Sequence, residues 1–198
     1  MSWFAGCEIG VPGLVAFAAG ALLFFLALMR TTLAAGRASG GEKRSGASRI
    51  GIALQMAGFA LVGFGGMRIA LPPGSGEATA AALLVAALMA GAVLLFGAAS
   101  RAMGANWSLA ARMREDHELV TQGVFARLRH PIYTGMALFL MAEAVGLGHY
   151  RHLMLGAPLF ALGTWIRVRE EERLLRAQFG PAYDAYAARV KRFVPGIA

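Results

Sequence analysis

Five apolar runs, separated by short polar stretches, organise this sequence. Val11 to Met29, Ile50 to Met67 and Ala78 to Ser100 contain no charged residue, Pro131 to Gly148 contains only Glu143, and Leu153 to Ile166 contains none. A helix that crosses a bilayer needs roughly 20 mostly apolar residues. The fifth run is short, but the side chain of Arg167 can snorkel and extend it. Between the runs, Gly36 to Ser48 is rich in glycine, serine and charge and reads as a flexible loop. Leu71-Pro72-Pro73-Gly74-Ser75-Gly76 reads as a sharp turn, and Arg101 to His130 as a long polar loop. The tail from Arg169 to Ala198 is amphipathic, with Leu174, Leu175, Phe179, Tyr183 and Tyr186 recurring along it. The pattern predicts an all-α integral membrane protein of about five transmembrane helices with a helical C-terminal segment. It falls into two parts: three membrane helices in residues 1–100, and a loop, two helices and the tail in residues 101–198. A soluble helical bundle would need a polar face on each helix, and the first three runs have almost none.

Composition supports that class. The chain is 58% hydrophobic and 15% charged, against about 45–50% and about 25% for a soluble domain. Charge then sets the orientation. All but Arg68 and Arg151 of the 19 Lys and Arg residues fall on one side of a five-span arrangement, and that side is expected in the cytoplasm. The N-terminus is then outside, the tail inside, and the host membrane is expected to be a bacterial inner membrane. The net charge of +8 is explained by this rule, so no nucleic-acid partner is expected. With Cys7 as the one cysteine, an internal disulfide and a cysteine metal cluster are both excluded. His117, His130, His149 and His152 show no metal-ligand spacing, so no metal is expected. Residues 1–12 contain Glu8 and no Lys or Arg, so the first run is expected to be a retained helix rather than a signal peptide. Ala82, Ala86 and Ala90 form a small-residue stripe that allows close helix approach. That stripe serves internal packing or dimer contacts equally well, and the oligomeric state is not legible.

Two polar stretches have the residue types of a site. In the first, Arg129-His130-Pro131-Ile132-Tyr133 begins the fourth helix, with Pro131 suited to its first turn. His130 and Tyr133, three residues apart, share a face, and the free N–H groups of the helix start favour an anion. The alternative is that Arg129 and His130 anchor at lipid headgroups and Tyr133 belongs to an aromatic belt. In the second stretch, Glu170, Glu171 and Glu172 point to different sides of a helix. One or two of them facing inward would hold a cationic or hydroxyl-bearing ligand, while Glu172 and Arg176 have the spacing of a surface ion pair. Glu143 is either an intramembrane site residue or a group at the wet outer interface.

Taken in order, these elements resemble the isoprenylcysteine carboxyl methyltransferase family, within the wider group of membrane methyltransferases that includes phospholipid N-methyltransferases. The resemblance rests on His117-x-Leu119-Val120-Thr121-x-Gly123-Val124-Phe125 and Arg129-His130-Pro131-x-Tyr133-x-Gly135. It continues through Trp165, Arg167, Glu171-Glu172-x-x-Leu175, Phe179-Gly180-x-x-Tyr183-x-x-Tyr186 and Phe193-x-Pro195. It covers roughly residues 104–195. It implies an S-adenosylmethionine-dependent enzyme whose C-terminal segment closes a cofactor pocket at the cytosolic surface. His117, Leu119, Val120, Gly123, Val124, Phe125, His130, Tyr133, Glu171, Glu172, Phe179 and Tyr183 are the implied cofactor residues, with Arg129 and Leu128 beside them. Arg129, Arg167 and Glu171 are the implied catalytic residues. The acceptor implied is a lipophilic or lipidated molecule, presenting most readily a carboxylate, that enters from the surrounding lipid. Competing expectations are an NADPH-dependent membrane reductase of the sterol-reductase type and a non-catalytic membrane scaffold.

Overall fold

The computed structural model describes residues 5–36, 46–104, 107 and 118–196. Six α-helices are α1 (Val11–Gly36), α2 (Gly46–Gly63), α3 (Gly76–Met103), α4 (Pro131–Gly146), α5 (Leu153–Phe179) and α6 (Pro181–Arg189). Their starts and stops follow local chemistry. The Ser75 hydroxyl caps α3 by accepting from the Ala78 N–H at 3.2 Å. Pro131 opens α4 at its first turn. Gly180, at φ +48°, ends α5, and Pro181 opens α6 directly after it.

Two short strands depart from the all-α expectation. β1 (Ala5–Gly10) and β2 (Gly66–Leu71) pair in parallel, with Glu8 opposite Arg68. A parallel pair needs a crossover connection, and the α1–α2 hairpin supplies it. The pairing is non-local, so no alternation within either segment announces it.

Three helices are long and apolar enough to cross a membrane: α1 over Val11–Ala34, α2 and α3. α4 is apolar but only 16 residues long, and the 27 residues of α5 turn polar after Ile166. Leu22, Leu23, Leu83, Leu94 and Met154 are each more than half exposed. Water would not tolerate such a surface on α1, α3 and α5 together, and the chain is an integral membrane protein.

Glycines bring the helices into direct backbone contact. A Cβ on Gly51 would lie 2.8 Å from the Gly163 carbonyl oxygen, and one on Gly58 would lie 2.7 Å from that of Gly156. α2 and α5 therefore run antiparallel at close range, in register over two turns. Gly20 meets Met89 and Gly13 meets Ala82, so α1 and α3 run parallel. The rings of Phe24 and Phe139 meet edge to face at 5.1 Å while Phe17 lies against Gly146, so α1 and α4 run antiparallel. Successive helices thus alternate in direction. The face that α3 buries is Ala78, Val85, Met89, Ala92, Phe96 and Ala99. Of the small-residue stripe, Ala82 is half-buried near Gly13 while Ala86 and Ala90 are exposed: the larger Val85 and Met89, one position away, fill the interface within the chain.

Candidate functional site

The start of α4 is tied down by the end of the chain. After α6, residues 190–196 double back as a strap along the entry to α4. The Arg129 N–H donates to the Lys191 carbonyl at 2.8 Å and the His130 N–H to the Arg192 carbonyl at 3.0 Å. Thr134 Oγ1 donates to the Phe193 carbonyl at 3.0 Å. His130 and Tyr133 then stand side by side, ring centres 5.8 Å apart, as their spacing predicts.

The polar half of α5 comes to meet them. Its side chains divide by helix face. Glu170 turns away to Arg173, with both oxygens accepting at 2.9 Å on an exposed surface. Glu171 accepts a short hydrogen bond from the Tyr133 hydroxyl. The same hydroxyl accepts from Arg167 Nε at 2.8 Å. Arg167 continues the chain of contacts to Gln55 Oε1 at 3.3 Å, and Gln55 Nε2 donates to Thr164 Oγ1 at 2.8 Å. All four of Gln55, Tyr133, Thr164 and Arg167 are buried. The close α2–α5 approach at Gly51 and Gly163 is what lets Gln55 reach them.

Glu172 is the second centre. It is 2% exposed and faces three arginines and a histidine: Arg192, whose Nε and Nη2 reach its two oxygens at 2.9 and 2.7 Å, Arg129 at 3.2 Å, His130 at 3.3 Å, and Arg176 at 3.9 Å. The expected Glu172–Arg176 pair is therefore the longest of the set. The His130 ring bridges the two carboxylates, its Nδ1 lying 3.6 Å from Glu171. Burial works against a charge on His130, but hydrogen bonds to Glu171 and Glu172 outweigh it and raise its pKa. Burial likewise opposes the Glu171 charge, and His130 and Arg167 overcome it, leaving its pKa below the ordinary value. Glu172 is held well below the carboxylate range, its burial offset by Arg192, His130 and Arg129. The anion that the helix start was expected to attract is thus, in the protein itself, supplied by the chain's own glutamates.

Beside this network lies a cavity of about 70 Å³ lined by Met103, Glu118, Leu119, Val120, Phe125, Arg129, His130, Leu175, Tyr183 and Tyr186. Of the expected cofactor residues, Leu119, Val120, Phe125, His130 and Tyr183 line it. Tyr133, Glu171 and Glu172 stand behind His130. Gly123 and Val124 form a 3-10 turn with Phe125, Leu128 is buried beneath it, and Phe179 closes α5 without lining the cavity. His117 lies outside the described residues. Arg129 Nε is buried and has no hydrogen-bond partner among the described residues. The Tyr186 hydroxyl donates to the Phe125 carbonyl at 2.7 Å, and burial next to Tyr183 keeps it a neutral donor with a pKa pushed up to about 12. Glu143 sits at the other end of α4, against Gly63, and takes no part in this site.

Residues 82–177 match the Isoprenylcysteine carboxyl methyltransferase (ICMT) family. Over this segment the chain is similar to that family. It is 32% identical over 91 residues to the protein-S-isoprenylcysteine O-methyltransferase of Schizosaccharomyces pombe, over 44% of this chain and 37% of that protein. It is 36% identical over 88 residues to protein-S-isoprenylcysteine O-methyltransferase B of Arabidopsis thaliana, over 42% of this chain and 43% of that protein. The match thus spans about two fifths of the length of these relatives. The family segment takes in Arg129, His130, Tyr133, Arg167, Glu171 and Glu172 but stops before α6 and the strap. Two contributors to the site lie outside it and outside the expected set. Gln55 is in a run whose only polar feature it is, and a buried amide in an apolar helix is the signal that marks it. Arg192 stands one residue before Phe193-x-Pro195 and has no signal beyond that.

Proposed function

We propose that the chain is an S-adenosylmethionine-dependent membrane methyltransferase that methylates the carboxylate of a lipophilic acceptor at the cytoplasmic face. The observation that carries this reading is the meeting of His130 and Tyr133 with Arg167, Glu171 and Glu172, beside a cavity walled by aromatic and cationic side chains.

The lining has the chemistry this donor needs. Arg129 has a buried Nε–H without a partner among the described residues, a donor suited to a carboxylate. Phe125, Tyr183 and Tyr186 offer aromatic surface for a base. The donor, when bound, supplies an electrophilic methyl group on a sulfonium. The residues of the chain then have three tasks: to orient both partners, to exclude water, and to hold charge still. His130 is clamped between two carboxylates, and Glu171 and Glu172 are each committed to cations, so none of them is a good proton acceptor. This favours an acceptor that is already ionised, a carboxylate, over an amine or thiol that must first lose a proton. The names of the relatives point the same way. Arg129 and Arg167 are the proposed orienting cations, and Glu171 fixes Arg167 through Tyr133.

Five membrane spans belong to this reading, with α4 and the apolar half of α5 completing the set. The alternating helix directions support it, as does the basic character of the end where the site lies. Labelled methyl transfer from S-adenosylmethionine into a native lipid extract and into a prenylated cysteine tests the activity. Base-labile label, released as methanol, is expected. Base-stable label would mean N- or S-methylation and would contradict a carboxylate acceptor, and no incorporation into either would overturn the reading.

A further inference from the structure

Arg192 makes a set of contacts out of proportion to its place near the end of the chain. Its backbone carbonyl accepts from the His130 N–H at 3.0 Å. Its side chain makes a two-bond clasp on Glu172 and lies over the Trp165 ring at 5.7 Å. One residue therefore touches the start of α4, the polar half of α5 and the exposed aromatic at the membrane boundary.

The consequences fall on His130. Glu172 Oε1 accepts from Arg192 Nε and lies 3.2 Å from Arg129 and 3.3 Å from His130 Nε2. Glu172 Oε2 has Arg192 at 2.7 Å and otherwise only Arg176 at 3.9 Å among the described residues. Without Arg192, the carboxylate is held at one oxygen and can turn. The His130 ring, whose Nε2 points to that oxygen and whose Nδ1 points to Glu171, would lose one of its two fixed points. We propose that Arg192 is a positioning residue: its planar clasp sets Glu172, Glu172 sets the His130 ring, and the strap thereby completes the cavity wall formed by His130 and Arg129.

A two-bond clasp fixes orientation in a way that a single ammonium does not. Among the described residues, the charged and titratable groups around His130 are Glu171, Glu172 and Arg167 from α5, Tyr133 from α4, Arg129 beside it, Tyr183 and Tyr186 from α6, Arg192 from the strap, and Glu118 across the cavity. Removing a cation from this set while leaving the geometry intact would raise the His130 pKa, because Glu172 would be less neutralised. Letting Glu172 swing away would lower it, because His130 would lose an acceptor. The two outcomes have opposite sign.

Only the kinetic consequence rests on the methyltransferase reading. The test is a histidine titration by NMR on the full chain in nanodiscs, comparing wild type, Arg192→Gln, Arg192→Lys and the distant control Arg173→Gln, with His130→Gln assigning the signal. The expected result is a lowered His130 pKa in Arg192→Gln, partial restoration in Arg192→Lys, and no change in Arg173→Gln. In parallel, the KM for S-adenosylmethionine is expected to rise about tenfold in Arg192→Gln, with kcat changed less. A raised or unchanged His130 pKa in Arg192→Gln would overturn the proposal. Should Arg192→Gln fail to fold, Arg192→Lys decides the matter: its His130 pKa must fall below that of wild type, and an equal or higher value overturns the proposal. Failure of the wild type to bind S-adenosylhomocysteine would count against the enzyme reading and leave the titration result standing on its own.

Discussion

The Tyr133 hydroxyl stands between Glu171 and Arg167, donating to one and accepting from the other. Tyr133→Phe keeps the ring and removes both bonds, leaving a buried guanidinium and a carboxylate each short of one contact. The expected cost is about 1–3 kcal/mol of stability, read as a lowered thermal midpoint, and the double variant with Glu171→Gln should lose less than the sum of the two singles. The same residues set a pH dependence. The His130 pKa is raised above its ordinary 6.5, so its contribution is complete below 6.5 and is lost as pH rises through the folded value. The pKa values of Glu171 and Glu172 are lowered from 4.5, so their contribution is present above 4.5 and is lost as pH falls through the folded values. The thermal midpoint of the wild type should therefore fall as pH rises through the His130 titration, and His130→Gln should flatten that limb and weaken the acid limb as well, because His130 helps hold the Glu171 and Glu172 pKa values down. An unchanged alkaline limb in His130→Gln would count against a charged His130. At this scale much of the site is legible in the sequence: the spacing of His130 and Tyr133, and the different directions of Glu170, Glu171 and Glu172, follow from helix periodicity. The long-range partners of Glu171 and Glu172 are not, because they stand tens of positions away, as Arg192 and His130 do from Glu172 at 20 and 42 positions, and periodicity carries no such information.

At the scale of elements, the site depends on how closely α2 lies against α5. A Cβ on Gly163 would meet the Gly51 carbonyl oxygen at 2.6 Å and the Gln55 backbone nitrogen at 2.9 Å. Both are backbone atoms, so the helices themselves must separate. Gly163→Ala is expected to cost about 1–3 kcal/mol, and to weaken ligand binding by withdrawing Gln55 from Arg167. Gly46→Ala, where nothing lies within 4 Å, should leave both unchanged, and equal melting of the two variants would show that the close approach is dispensable. The positions of α1, α2 and α3 follow from apolar run length, since a hydrocarbon layer sets that length. Their pairing does not, because Gly51 and Gly163 acquire meaning only once α2 and α5 are neighbours. The β1–β2 pair is invisible in the sequence for the same reason, and Ala86 and Ala90, exposed on α3, show that small residues alone do not identify the packed face.

For the whole molecule, the alternation of helix directions places β1 and β2 at the end opposite the site. The single Cys7 lies in β1 and is part-exposed, which makes it a native reporter of sidedness. A membrane-impermeant maleimide should label Cys7 in intact cells. Arg173→Cys, at an exposed position and in a Cys7→Ser background, should react only after permeabilisation. The reverse pattern would invert the orientation drawn from the basic loops. Charge asymmetry is the sequence basis for the orientation that this labelling tests, whereas the cavity has no sequence signal, since it forms where the residues before α4, the end of α3, α5 and α6 converge.

Enclosure of a sulfonium donor between the start of α4 and the polar continuation of α5 is the step on which the proposed chemistry turns. Calorimetric titration of the purified protein with S-adenosylhomocysteine tests it most directly. Binding of one molecule per chain is expected, weakened in Tyr133→Phe and Arg129→Gln. No heat at millimolar ligand, or binding that both variants leave untouched, would contradict it.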